Sequence, residues 1–197
     1  MIFRRKGADK KASDESPEHP DDLAELKTDR PRGPWDRAET AADDADGTYV
    51  DLGGLLVKGA PSLELRLQVD EQTSAVAAVL LAGPESGLEL RAFAAPRSSG
   101  IWADVRDDIA AEAVKHGGTV TELDGEYGTE LKVVVPVQLP DGRAASQASR
   151  IVGVEGPRWL LRGTFLGRSA LDPDPEGPLE TAFRQVIVVR GTDPMAP

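Results

Sequence analysis

Residues 88–123 read LELRAFAAPRSSGIWADVRDDIAAEAVKHGGTVTEL, and the spacing of the apolar residues changes twice within them. Leu88, Leu90 and Ala92 share one side of an extended segment. Trp102, Val105, Ile109 and Ala113 then recur at helical spacing, and Thr119–Leu123 returns to strand character. The punctuation agrees with this. Ser98 and Ser99 offer N-cap hydroxyls, Asp104 and Asp107 set acid near the positive helix end, and Gly117-Gly118 provides a stop. The spacing predicts an amphipathic helix over 100–116 that interrupts a series of strands.

Toward the N-terminus, Leu63, Leu65, Leu67 and Val69 alternate with Glu64, Arg66, Gln68 and Asp70, the pattern of a half-buried strand. Ser74–Leu81 (SAVAAVLL) is apolar throughout, which predicts a strand covered on both faces and hence central. Tyr49–Leu52 reads as a short strand ended by Gly53-Gly54. Toward the C-terminus, Leu131, Val133, Val135 and Val137 form a hairpin partner to 119–123, joined by a turn at Asp124-Gly125 that is two residues or longer. Ala145–Val154 and Pro157–Gly167 read as two strands joined through Glu155-Gly156. Pro178 suits the first position of a helix, and the run Val186–Val189 leaves the end of that element open between helix and strand. The order β-β-β-β-α-β-β-β-β-α predicts an α+β domain: a twisted, mainly antiparallel sheet with two helices packed on one face.

The chain has 197 residues, room for one domain and tails. Residues 1–46 pair a basic head (Arg4, Arg5, Lys6, Lys10, Lys11) with an acidic stretch and hold few large apolar side chains. Burial there cannot offset ordering entropy, so a disordered, solubilising tail is expected. A sharper reading makes it a docking tail anchored by Phe3 or Trp35. The single domain is then expected over 47–191, with a flexible end at 192–197.

Composition narrows function mainly by exclusion. Without cysteine there is no thiolate nucleophile, disulfide or Cys-based metal site, and a reducing compartment is expected. The net charge of −11 argues against general nucleic-acid affinity. The longest apolar run, Ala75–Gly83, is less than half of a bilayer crossing, and no apolar segment follows the basic start, so neither membrane insertion nor secretion is expected.

No serine lies in a nucleophile elbow, and the glycine pairs match no phosphate-loop fingerprint. His116 ends the helix, where it can offset the terminal dipole. Asp104 and Asp108 share a helix face and read as a solvated helix start rather than a cation site. Glu122, Asp124, Glu126 and Glu130 flank a turn without the ligand pattern of a calcium loop and read as solvated turn charges. No catalytic, cofactor-binding or metal residue is therefore expected. The densest binding chemistry lies in Gly153–Gly163. In an extended strand there, Arg158 and Arg162 share one side as a double guanidinium fork for carboxylate or phosphate, and Trp159 takes the other. The competing reading buries Trp159 in the core and pairs the arginines with glutamates across the sheet.

Four segments together, Trp102-Ala103-Asp104-Val105-Arg106, Gly125-Glu126-Tyr127-Gly128-Thr129-Glu130-Leu131, Gly156-Pro157-Arg158-Trp159-Leu160-Leu161-Arg162-Gly163 and Val188-Val189-Arg190-Gly191, resemble an actinobacterial family of uncharacterised proteins. The resemblance implies a cytoplasmic protein and brings no activity, cofactor or catalytic residue. The functional expectation is a non-enzymatic binding or adaptor module whose partner is another protein. The alternative is a small-molecule or nucleotide-binding domain using Arg158 and Arg162 on an anion.

Overall fold

The computed structural model describes residues 31–40, 48–72, 75–96 and 100–190. Its frame is a seven-stranded antiparallel sheet in the order β4-β5-β6-β10-β9-β8-β7. The strands are β4 (Glu64–Val69), β5 (Val76–Ala82), β6 (Ser86–Ala94), β7 (Thr119–Gly125), β8 (Gly128–Gln138), β9 (Ala144–Gly156) and β10 (Trp159–Gly167). A smaller four-stranded sheet has the order β1-β11-β3-β2, from β1 (Trp35–Asp36), β2 (Tyr49–Asp51), β3 (Leu55–Lys58) and β11 (Ile187–Val188); β1 runs parallel to β11. The helices are α1 (Ile101–Lys115), the short α2 (Arg168–Leu171) and α3 (Pro178–Gln185). The α+β class with a mostly antiparallel sheet holds.

Neighbouring residues on β10 point into different cores, which shows how the layers are stacked. Leu160 joins Trp102, Ala113, Leu131, Val133 and Ile151 beneath α1. Trp159, Leu161 and Phe165 join Leu179, Ala182 and Phe183 of α3 and Leu55 and Val57 of the small sheet. The helices therefore divide between the two faces instead of sharing one. On β9, Val152 and Val154 join the α3-side core and Ile151 the α1-side core, so each face of the sheet has its own cover.

Three further expectations change. The apolar run at 74–81 becomes β5, one strand in from the edge; the centre is β10, whose even-numbered positions include Arg162 and Thr164 and so hid its burial in the sequence. The structured part begins before residue 47. Trp35 pairs with Ile187, and the Trp159 indole N–H donates to Asp36 Oδ2 at 2.6 Å. Trp35 and Asp36 thus join the folded part, while the expectation for residues 1–30, 41–46 and 192–197 falls outside the described residues. The ambiguous segment resolves as helix to Gln185 followed by strand at Ile187–Val188, because Val186 leaves the helix in extended conformation (φ −60°, ψ 136°).

Helix α1 shows how distant residues complete a local element. Its N-cap position is Gly100, in left-handed conformation with no side chain of its own to cap. The cap comes from β9: the Glu155 carboxylate accepts from the backbone N–H of Gly100 at 3.1 Å and of Trp102 at 2.8 Å. A carboxylate there also meets the positive end of the helix dipole. Trp102 seats the helix, with its ring against the backbone of Gly153 and its indole N–H donating to the Thr129 carbonyl at 2.8 Å.

On the opposite face a buried ionic group ties α3 to the sheet. Arg150 donates to Glu130 Oε2 at 2.9 Å and also bonds Glu180, and its guanidinium lies 4.1 Å from the Phe165 ring centre. All three charged side chains are buried. Two carboxylates share one guanidinium here, so Glu180 sits above the ordinary carboxylate range, chiefly because burial disfavours its charge; Arg150 opposes that rise and the Glu130 charge adds to it. The turn charges also prove less solvated than the sequence suggests. Glu130 is in this group, and Glu126 accepts from Arg32 at 2.6 Å and from Arg184 at 3.4 Å.

Trp102→Ala is expected to cost about 3–5 kcal/mol, and Gly153→Ala about 1–3 kcal/mol because a methyl group would overlap the indole; urea unfolding measures both, and wild-type midpoints would refute the seating. Arg150→Ala leaves two buried carboxylates unpaired and is expected to cost about 3–5 kcal/mol. Because the folded pKa of Glu180 is raised, its contribution is full below the unfolded carboxylate range and is lost as pH rises through the raised value. Glu180→Gln removes that loss, so its stability relative to wild type rises with pH across that window.

Candidate functional site

The sequence singles out Arg158, Trp159 and Arg162, and the structure separates them. The β9–β10 hairpin turns at Pro157-Arg158, since Gly156 pairs with Trp159. Arg158 occupies the second corner at φ 63°, a left-handed position that follows naturally from proline at the first. It is exposed, and it is not a strand residue sharing a side with Arg162. The turn lies two residues later than the sequence reading places it. Gly156 is needed within the ladder, where the Trp159 ring covers its backbone. Trp159 itself is fully buried and belongs to the core, so it offers no partner surface.

Arg162 stays on the sheet, and its neighbour is Arg91. The two face each other directly on β10 and β6. Alternation along β6 puts Leu88 and Leu90 in the α3-side core, while Glu89, Arg91 and Phe93 point to the α1 side. Helix α1 packs on β7, β8 and β9, and Phe93 meets the margin of its core. Beyond that margin Arg91 and Arg162 remain partly exposed, at 32% and 23% of their side-chain surfaces. From β4, one strand beyond β5, Gln68 Oε1 accepts from Arg91 at 3.2 Å.

Two like charges directly opposite on adjacent strands repel. Here one carboxylate serves both: Glu89 Oε1 accepts from Arg91 Nε at 2.8 Å and lies 3.9 Å from an Arg162 terminal nitrogen. The Arg162 guanidinium also lies 5.3 Å from the Phe93 ring centre, a cation–π placement. Burial pulls the Arg162 pKa below the usual guanidinium value; the charge of Arg91 pushes the same way, and Glu89 opposes both. Its Nε is buried and has no hydrogen-bond partner among the described residues. The pair therefore holds cationic surface that its own fold only partly neutralises.

The other sequence candidates are dispersed. Asp104, Asp107 and Asp108 lie on the exposed side of α1, and among the described residues no three His, Cys, Asp or Glu side chains group as metal ligands. His116 ends α1, with its backbone N–H on the Glu112 and Ala113 carbonyls and Nε2 2.9 Å from Glu112 Oε1. A cleft of about 720 Å³ opens between the β5–β6 turn and the loop joining α2 to α3. Its charged lining is mainly acidic (Glu85, Asp172, Asp174 and Glu180, against Arg168), and none of the arginines of the sheet face reaches it. Among the described residues no helix is long and apolar enough to cross a membrane.

The sequence shows that Glu89, Arg91 and Phe93 share a side of their strand. That this side lies next to Arg162 depends on β6 pairing with β10 across a long stretch of intervening chain, which no local signal encodes.

Removing the shared carboxylate exposes the repulsion. Glu89→Gln is expected to destabilise the fold by no more than about 1 kcal/mol, and more at low ionic strength than at high, because salt screens the uncovered charges. Denaturant unfolding at two salt concentrations measures this; a salt-independent difference would refute the electrostatic account.

No curated protein matches the chain. A family model matches residues 33–197, a span that takes in the structured segment from Trp35 onward as well as both sheets. The chain belongs to the DUF3710 family, proteins of unknown function.

Proposed function

We propose that this protein is a non-enzymatic, cytoplasmic binding module that takes an acidic segment of a partner protein on the sheet face around Arg91 and Arg162. The observation that carries this reading is the juxtaposition of those two guanidinium groups with only Glu89 between them. A fold that merely needed a stable strand pair would place opposite charges or apolar residues there. Carboxylates from a partner would complete the neutralisation with bidentate, charge-assisted hydrogen bonds. Phe93 beside Arg162 adds an apolar surface for the partner's side chains. The chain's overall negative charge disfavours long polyanions and leaves short acidic segments as the fitting class. Absence of cysteine supports a reducing compartment.

A second reading rests on the unpartnered Arg162 Nε, which together with Arg91 offers donors to a small phosphate- or carboxylate-bearing ligand. Titrating a glutamate- and aspartate-rich dodecapeptide, and separately ATP, against the full chain and Arg91→Gln/Arg162→Gln distinguishes the two. The expected outcome is salt-sensitive peptide binding, weakened about tenfold or more in the double variant by loss of two charge-assisted contacts, with its fold retained. Binding of ATP in preference to the peptide supports the small-ligand reading. Equal binding by wild type and variant removes this face from consideration.

A further inference from the structure

We infer that the outer edge of β4 is a self-association surface, at which two copies of this chain join antiparallel across a twofold axis and extend the sheet through both molecules. β4 ends the seven-stranded sheet, pairing with β5 on one side and with no described strand on the other. An edge strand presents unpaired backbone donors and acceptors, and proteins ordinarily protect it with charge that repels a further strand. On β4 the charges do the reverse. The segment Leu63-Glu64-Leu65-Arg66-Leu67 is nearly self-complementary when its direction is reversed. Antiparallel pairing with Leu65 opposite Leu65 of the second copy places Glu64 opposite Arg66 of that copy, and Arg66 opposite its Glu64. Opposite charges so placed stabilise a strand pair, and like charges destabilise it.

The other side of the strand agrees with the same register. Leu65 and Leu67 pair with Leu81 and Val79 of β5, which lie in the α3-side core. Leu63 and Leu65 pack on that core only partly, and Leu67 remains 44% exposed. The twofold arrangement sets Leu67 against Leu63 of the second copy and continues the apolar stripe across the junction. Within one molecule Arg66 donates to Glu64 at 2.8 Å, and both side chains are more than half exposed, so they are free to exchange partners across the axis. Such an isologous contact is closed at two copies and does not propagate into filaments. A single short strand pair buries less than a large permanent interface, so the association is concentration-dependent.

This inference is independent of the acidic-segment reading, which concerns Arg91 and Arg162 and a different measurement. Sedimentation of the full chain over a range of concentrations is expected to show a reversible monomer–dimer equilibrium. Arg66→Glu sets two carboxylates against each other at both ends of the junction, and Glu64→Arg sets two guanidinium groups together there. Each is expected to weaken association roughly tenfold or more, through two lost attractions and two new repulsions. Mixed in equal amounts, the two variants give pairs in which one chain is wholly acidic and the other wholly basic at these positions. Opposite charges then meet at both ends, and the heterodimer is expected to form near wild-type strength. Both positions are exposed, so circular dichroism should show unchanged folds. A chain that stays monomeric throughout, a dimer that either single variant leaves intact, or a mixture that stays monomeric would each overturn the proposal.

Discussion

The structure depends on aromatic rings laid directly on glycine backbone at the centre of the sheet. On the α1 side the Trp102 ring covers Gly153 of β9; on the other, Phe183 of α3 covers Gly163 of β10 and Trp159 covers Gly156. At each of these glycines a methyl group would overlap the ring. Close approach of this kind removes much apolar surface from water and leaves few alternative placements for the helix that carries the ring. Since Gly153 and Gly163 serve opposite faces, β9 and β10 receive a helix on each side. Polar tips then lock the rings: the Trp102 indole on the Thr129 carbonyl, and the Trp159 indole on Asp36, which draws the N-terminal segment into the domain.

Around that centre the charges fall into two regimes. The Arg150, Glu130 and Glu180 group is enclosed and joins β8, β9 and α3, with Glu130 Oε1 and Arg150 Nε left without a hydrogen-bond partner among the described residues. Such buried groups add little net stability over apolar replacements, but losing one partner is costly. The group therefore holds α3 in one seat on the sheet. Arg91 and Arg162 are the converse: partly exposed, of like sign, and given one carboxylate between them. Packing accounts for the first arrangement. The second keeps two guanidinium groups face to face with one carboxylate between them, which is why it bears the proposed reading.

Much of the architecture is legible in the sequence. The switch in periodicity at residues 94–119 marks α1 to within a residue at either end, and alternation at 63–70 and 131–137 identifies strands, although β4 is largely exposed where a half-buried strand is expected. Elsewhere distant partners override the local pattern. Glu155, over fifty residues away, brings a carboxylate to the start of α1, while the expected Ser98 and Ser99 caps lie outside the described residues. Leu55–Lys58 is too short to declare itself, and becomes a strand because Leu55, Leu56 and Val57 are buried between β2 and β11. The residues before 47 look too polar to fold; Trp35 and Asp36 join the domain only because β11 and Trp159 offer them partners.

For the candidate site the division is sharper. Alternation in a strand follows from backbone geometry alone, so the identities that matter, an arginine in β10 and a Glu-x-Arg-x-Phe side on β6, can be read along the chain. The sequence by itself also determined the α+β class, since apolar period depends only on the chain's own order. Tertiary structure decided that Arg162 meets Arg91 rather than Arg158, that Trp159 is core, and that the helices take opposite faces. Those outcomes rest on strand order and on where a two-residue turn falls. Strand order brings Gly153 beneath Trp102 and Gly163 beneath Phe183, matches between residues well separated in the chain that no local pattern records.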